Sequence, residues 1–203
     1  MYLKIHKFLP FTRVEGPGKR ACIWVQGCSI RCSGCAVPQT WSPEEGKKVN
    51  VEKLAEKILD NPEIEGVTFM GGEPFDQARS LAYLSKILKK SGLSILTFTG
   101  RLIEDIQNSK NSDWLDLLSV TDLLIDGPYI KEKSDLSRPW VGSSNQRYHF
   151  LTSRYEDIKP KLLDIPNCVE IRIQEDGIIT INGMLTSANL EEILDNIQTN
   201  KVS

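Results

Sequence analysis

ACIWVQGCSIRCSGC (residues 21–35) runs a short apolar segment straight into a loop of three cysteines. The first half is β-branched and aromatic and stops at Gly27, which reads as a buried strand. Cys28, Cys32 and Cys35 follow with the spacing C-x3-C-x2-C. A loop that leaves a strand directly sits at the strand's C-terminal end, where parallel α/β folds build their sites. Three thiolates can hold a cubane iron–sulfur cluster and leave one iron without a protein ligand, whereas an electron-transfer cluster takes four cysteines. An open iron is a place for chemistry, by the logic that separates open catalytic metal sites from closed structural ones.

Outward from this stretch, strand and helix patterns alternate. GVTFM (66–70), LSILTFTG (93–100) and DLLIDG (122–127) predict three more strands. Asn50 is placed to cap a helix whose apolar face is Val51, Leu54, Ala55, Ile58 and Leu59. Asp76 is placed to cap a second, with Leu81, Leu84, Ile87 and Leu88 inward and Gly92 as its stop. Helical pattern returns at Leu102–Gln107 and Trp114–Leu118, and EEGKKVN (44–50) reads as a polar connector. Residues 128–168, rich in Pro, Ser, Gly and Arg, form the least regular stretch, and such stretches are usually functional or mobile. CVEIRI (168–173), Asp176-Gly177 and IITI (178–181) predict a hairpin adding an antiparallel edge. Asn189 with Glu192 reads as the capping box of a last helix bearing Leu190, Ile193, Leu194 and Ile197. The alternation predicts an α/β fold with a mainly parallel sheet, as a single domain over 1–203.

A chain of 203 residues buries a sizeable core without disulfides. Its net charge of −2 gives no field toward nucleic acid or a membrane surface. No apolar run reaches the length of a membrane span, and MYLKIHKFLPF lacks the apolar core of a signal peptide, so the expected location is cytoplasmic. Five cysteines, three of them clustered, point to metal rather than disulfides.

Met70-Gly71-Gly72-Glu73-Pro74 ends the second strand, on the rim the cysteine loop shares if the two strands are parallel neighbours. Paired glycines let a ligand approach the backbone, and Glu73 offers a carboxylate to an amino group. With the C-x3-C-x2-C loop followed by GGEP, the chain resembles the radical S-adenosylmethionine superfamily. VEGPGKRACIWVQGCSIRCSGCAVPQTW (14–41), DLLIDGPY (122–129), GSSNQRY (142–148) and IRIQEDGIITINGM (171–184) are similar to the activating enzymes of glycyl radical enzymes, above all those of anaerobic ribonucleotide reductases. Most of the superfamily has an aromatic residue just before the third cysteine; Gly34 stands there, as it tends to in the reductase activators. Ala36 and Val37 depart from the group's usual bulkier residue and asparagine before Pro38.

The resemblance implies a truncated β/α barrel and a 4Fe–4S cluster on Cys28, Cys32 and Cys35. It implies S-adenosylmethionine on the open iron, held by Gly71, Gly72, Glu73 and Pro74. Thr99, Gly100 and Asp126, at strand ends on the same rim, are the further candidates for that cofactor. No catalytic side chain is implied, because cluster and cofactor carry the chemistry. The implied partners are a glycyl radical enzyme as protein substrate and a flavodoxin or ferredoxin as electron donor.

Other readings stand beside these. Zinc would need a fourth ligand from Cys22, Cys168, His6 or His149, and Cys22 and Cys168 otherwise read as buried packing residues. Glu15–Gly18 reads as a tight turn or the entrance for a partner's glycine loop, and Lys19 and Arg20 as solvated or partner-steering charges. Ser143–Arg147 reads as a hydrogen-bonded loop or a cofactor-side segment, and Trp41 and Trp140 as packing residues or cluster shields. A radical enzyme acting on a small molecule or peptide, or a non-catalytic iron–sulfur protein, are the alternative functions.

Overall fold

A computed structural model of the chain describes residues 1–174 and 176–199. The main sheet holds β1 (Tyr2–Thr12), β2 (Arg20–Val25), β3 (Lys47–Asn50), β4 (Gly66–Gly71), β5 (Ser94–Phe98), β6 (Leu123–Asp126) and β7 (Arg147–Phe150), in the order β3-β1-β2-β4-β5-β6-β7. β2, β4, β5 and β6 are parallel neighbours, while β1, β3 and β7 join antiparallel at the two edges. The helices are α1 (Val51–Leu59), α2 (Ala78–Lys90), α3 (Ile103–Gln107), α4 (Ser112–Val120) and α5 (Ser187–Thr199). This is a mixed α/β fold with a mostly parallel centre, as in a partial barrel.

All six residues of β2 are buried, and Ala21–Val25 read as an unbroken apolar run because a central parallel strand is covered on both faces. Ala21, Ile23 and Val25 enter a core with Val67, Phe69, Ile95 and Leu124 and with Leu54, Ile58, Leu81, Leu84 and Leu88 of α1 and α2. On the opposite face Cys22 and Trp24 meet Leu9, and Leu96, Leu123 and Ile125 meet Trp140, Val141 and Tyr155. Trp140 is thus a packing residue.

Several expectations change. Residues 47–50 are a strand, not a connector, because they pair with Tyr2–Ile5 at the sheet edge. The C-terminal hairpin, β8 (Val169–Ile173) with β9 (Ile179–Gly183), forms a sheet of its own instead of extending the main one. It docks through side chains: Glu170 accepts from Thr12 Oγ1 and Arg13 N at 2.8 Å each, and Asn182 donates to Thr12 Oγ1 at 3.1 Å. The antiparallel strand at the β6 edge is β7, inside the stretch that looked irregular. Asn50 caps α1 through Lys53 N as expected. Asp76 does not cap α2; Glu73 caps the 3-10 turn Pro74–Gln77 that precedes it. The last helix begins at Ser187, with Thr186 accepting from Asn189 N, so no Asn189–Glu192 box opens it. Cys22 is buried, but Cys168 is exposed. Arg20 is neither solvated nor free to steer a partner, since it is fully buried.

Candidate functional site

The register of the parallel strands fixes a common rim. Val25 of β2 stands beside Gly71 of β4, Phe69 beside Thr97 of β5, and Phe98 beside Ile125 of β6. The segments that follow these strands, beginning at Gln26, Gly72, Thr99 and Gly127, therefore leave from the same edge of the sheet.

The cysteine loop is closed at its neck. Gly27 N donates to Thr40 O at 2.7 Å and Cys28 N to Trp41 O at 3.2 Å, so the chain leaves and returns at one point. Gln26 Nε2 adds bonds to Gln39 O (3.0 Å) and Ser42 O (2.8 Å). A second clamp grips the loop from the helix side. Asp76 accepts from Ser29 N (2.7 Å), Ser29 Oγ (2.8 Å) and Arg101 Nη2 (2.8 Å), and the Arg101 guanidinium lies 4.1 Å over the Trp114 ring. Within the loop, Cys28 Sγ accepts from Arg31 N and Cys35 Sγ from Val37 N. Arg31 sits at φ 53°, a left-handed conformation that is unfavourable for a side chain of its size.

Three free, half-buried thiols on one loop are the donor set a cluster with an open iron requires. Burial pushes the Cys28 and Cys32 thiols up; coordination deprotonates thiols outright, so loading metal releases protons. Among the described residues, no group of three His, Cys, Asp or Glu side chains is arranged to hold a single metal ion. Nor do the fourth ligands a zinc site would need stand in a common place. Cys22 is buried in β2, His6 is exposed on β1, and His149 Nε2 lies 3.1 Å from Asp126.

Gly71 and Gly72 are glycines because of the protein, whatever else approaches them. A Cβ at Gly71 would stand 2.7 Å from Trp24 Cα, and one at Gly72 2.1 Å from Gly27 O. The segment is drawn onto the end of β2 by Gly72 N to Val25 O (2.9 Å) and Glu73 N to Gly27 O (2.8 Å). Glu73 is 1% exposed and its carboxylate is already engaged. Oε1 accepts from Phe75 N (2.9 Å) and Thr99 Oγ1 (2.8 Å), and Oε2 from Gly100 N (2.9 Å). Burial pushes this carboxyl up, and those three donors pull against it. Glu73 therefore ties the end of β4 to the end of β5, with Pro74 buried beside it; the part of GGEP open to a ligand is the half-exposed backbone of Gly71 and Gly72. Glu73→Gln keeps one acceptor and turns an amide N–H₂ on at least one of these donors. It is expected to destabilise the chain by about 1–3 kcal/mol, read as a lower urea midpoint.

Thr99 and Gly100 belong to the same join, and a Cβ at Gly100 would stand 3.0 Å from Ile30 of the cysteine loop. Asp126 is fully buried and accepts from Ile103 N (2.8 Å), Arg147 Nε (3.0 Å) and Arg147 Nη2 (2.5 Å). Burial alone would raise its carboxyl, but Arg147, Ile103 and His149 together hold it below the usual carboxylate range. Arg147 also bridges to Glu104 at 2.7 and 2.9 Å. The structure thus gathers all ten sequence-derived candidates on one rim, with Glu73 and Asp126 turned into the protein. The contributions of Gln26, Ser29, Asp76 and Arg101 had no signal in the sequence, since each depends on a partner more than ten residues away.

A family model described as "4Fe-4S single cluster domain" matches residues 14–149. The anaerobic ribonucleoside-triphosphate reductase-activating protein of Vibrio cholerae is 30% identical over 158 residues, covering 74% of this chain and 99% of that one. The chain belongs to this family of radical S-adenosylmethionine activating proteins. The protein of the same name from Escherichia coli K12 is 28% identical over 73% of this chain and 99% of its own. The pyruvate formate-lyase-activating enzyme of Clostridium pasteurianum is 38% identical over 44% of this chain and 40% of its own. The hairpin β8–β9 and α5 lie beyond the matched 14–149 segment. No helix among the described residues is long and apolar enough to cross a membrane.

Proposed function

We propose that the chain is a radical S-adenosylmethionine activase, one domain over 1–203, that makes a glycyl radical on an anaerobic ribonucleotide reductase-like partner in the cytoplasm. The observation that carries this reading is the cysteine loop leaving β2 beside the GGEP segment of β4, in a chain that spans 99% of a named reductase-activating protein. Cys28, Cys32 and Cys35 are the residues to hold a 4Fe–4S cluster, and the backbone of Gly71 and Gly72 is the surface to meet the amino group of S-adenosylmethionine. When bound, the cluster would supply the electron for reductive cleavage of S-adenosylmethionine, and that cleavage would supply the hydrogen-abstracting chemistry for the partner's glycine.

The chain's own residues do the positioning. Gln26 and the Gly27 and Cys28 backbone close the loop neck, Asp76 and Arg101 grip Ser29, and Glu73 locks the ends of β4 and β5 together. No side chain is asked to move a proton. A flavodoxin or ferredoxin is the electron donor this reading calls for.

The deciding experiment is anaerobic. Reconstituted protein, S-adenosylmethionine, a reductant and the host's anaerobic reductase large subunit are mixed, and electron paramagnetic resonance is recorded while 5′-deoxyadenosine is assayed. A glycyl doublet with deoxyadenosine is expected. Deoxyadenosine without a doublet transfers the chemistry to another substrate, and neither product from an intact cluster refutes the activase.

A further inference from the structure

The segment Ser143–Arg147 lies along the loop that follows β6, and its side chains fasten that loop almost residue by residue. Arg147 holds Asp126 through two hydrogen bonds. Gln146 Nε2 donates to Gly127 O at 3.3 Å, and Asn145 Nδ2 to Pro128 O at 2.8 Å. Ser143 Oγ accepts from Ile130 N at 3.3 Å. The fasteners are themselves fixed: Gln146 Oε1 accepts from Gly142 N (2.8 Å) and Ser143 N (3.2 Å), and Arg138 donates to Ser143 O (3.1 Å) and Gln146 O (3.0 Å). Ser143 is fully buried, which a loop serving only to shed water would not need.

Tyr129 is the residue of Asp126–Ile130 that this segment does not hold by a hydrogen bond. It points to the cysteine loop instead. Its ring lies between two glycines: Cε1 is 3.4 Å from where a Cβ would stand on Gly34, and Cδ2 is 3.2 Å from where one would stand on Gly142. Gly34 is the residue just before the third cysteine, so an aromatic ring covers the loop there although the loop carries none of its own.

We infer that Tyr129 is a positioning residue for the iron–sulfur cluster, its ring covering the loop at Gly34, and that Ser143–Arg147 serves to hold it there. This rests on the reading of Cys28, Cys32 and Cys35 as cluster ligands. Reduction adds negative charge to a cluster, so water reaching it raises its potential. Removing the ring lets water in, and loosening the loop that carries the ring does so in part.

The test uses the full chain with its reconstituted cluster and no S-adenosylmethionine or partner. The readouts are the cluster's reduction potential, the rate at which a chelator strips iron, and the thermal melt of the metal-free chain. Tyr129→Phe is expected to match the wild type in all three. Tyr129→Ala is expected to shift the potential upward and to lose iron about tenfold faster, the scale on which outer-sphere support of metal sites acts. The double variant Asn145→Ala/Gln146→Ala, which keeps the ring but loosens its loop, is expected to shift the potential upward by less than Tyr129→Ala. Unchanged potential and stripping in both altered variants overturns the inference, and a lowered melt without a change in potential overturns it too. A wild-type chain that holds no cluster refutes the activase reading itself, an outcome visible before any variant is compared.

Discussion

Cys32→Ala is expected to give a folded chain that splits no S-adenosylmethionine above background. The two halves of that result come from different facts. Cys32 sits half-buried in a loop outside the apolar core, and its carbonyl's bond to Cys35 N survives the change. Substitutions of this kind usually stay within about 0.5 kcal/mol, so the melt of the metal-free protein should be unmoved. The loss of chemistry is total because three thiolates are already the minimum for a cluster with one open iron, and no fourth cysteine stands near the loop to replace the missing one. Cys22 is shut inside β2, and Cys168 lies exposed beside Pro166, next to the hairpin. Iron and sulfide content, visible absorbance and deoxyadenosine release from the reduced protein check the expectation. Cys168→Ala is the matched control and should keep all three. Full turnover by Cys32→Ala would end the cluster assignment.

What could be read from the sequence was whatever is local in cause. The four parallel strands announced themselves because a buried parallel strand is a short apolar run and each ends at a glycine or a turn. The three cysteines and GGEP follow two of those ends, so their sharing a rim needed only that β2 and β4 be neighbours. The edge strands were not legible. β3 is the polar KKVN, extended because Tyr2–Ile5 offer it a ladder. β7 is RYHF in the middle of the stretch that looked irregular, extended because it pairs with Leu123–Asp126. Two acids near one helix start, Glu73 and Asp76, meet other partners than expected for a similar reason. Glu73 was expected to face a ligand and instead meets the β5 loop; Asp76 was expected to cap α2 and instead meets Ser29. A carboxylate's type and position say that it will accept hydrogen bonds, but the donors come from elsewhere in the chain.

Arg20 is where the sequence misled most, and it carries the largest expected effect on stability. Its guanidinium is fully buried and, among the described residues, no carboxylate forms an ion pair with it. Neutral oxygens surround it. Nε donates to Thr68 Oγ1 at 2.8 Å. Nη1 donates to Pro17 O and Ser94 Oγ at 3.2 Å each and to Tyr155 OH at 2.5 Å. Nη2 donates to Val67 O at 2.9 Å and Ser94 O at 3.4 Å. These oxygens belong to the ends of the parallel strands opposite the rim and to the turn that packs beneath them. One planar fork of five N–H donors serves all six, with one Nη1 hydrogen shared between two oxygens, which no neutral side chain and no lysine ammonium can do. Room for the fork comes from Gly66, where a Cβ would stand 2.0 Å from Ser94 Oγ and 2.7 Å from each of Arg20 Nη1 and Nη2. Arg20→Met removes the buried charge but strands several buried acceptors at once, at about 1–3 kcal/mol for each that water does not reach. The expected loss is about 3–5 kcal/mol, a large share of what a domain of this size has. Urea denaturation of the metal-free chain measures it, with Tyr155→Phe expected to lose about 1 kcal/mol as a single deleted hydrogen bond. Arg20→Met within 1 kcal/mol of the wild type would show that water or a shifted turn can serve these oxygens, and that the guanidinium is a passenger. If the loss is as large as expected, the lower ends of β2, β4 and β5 are pinned in register by one cation, and that same register brings the cysteine loop beside GGEP at the other end.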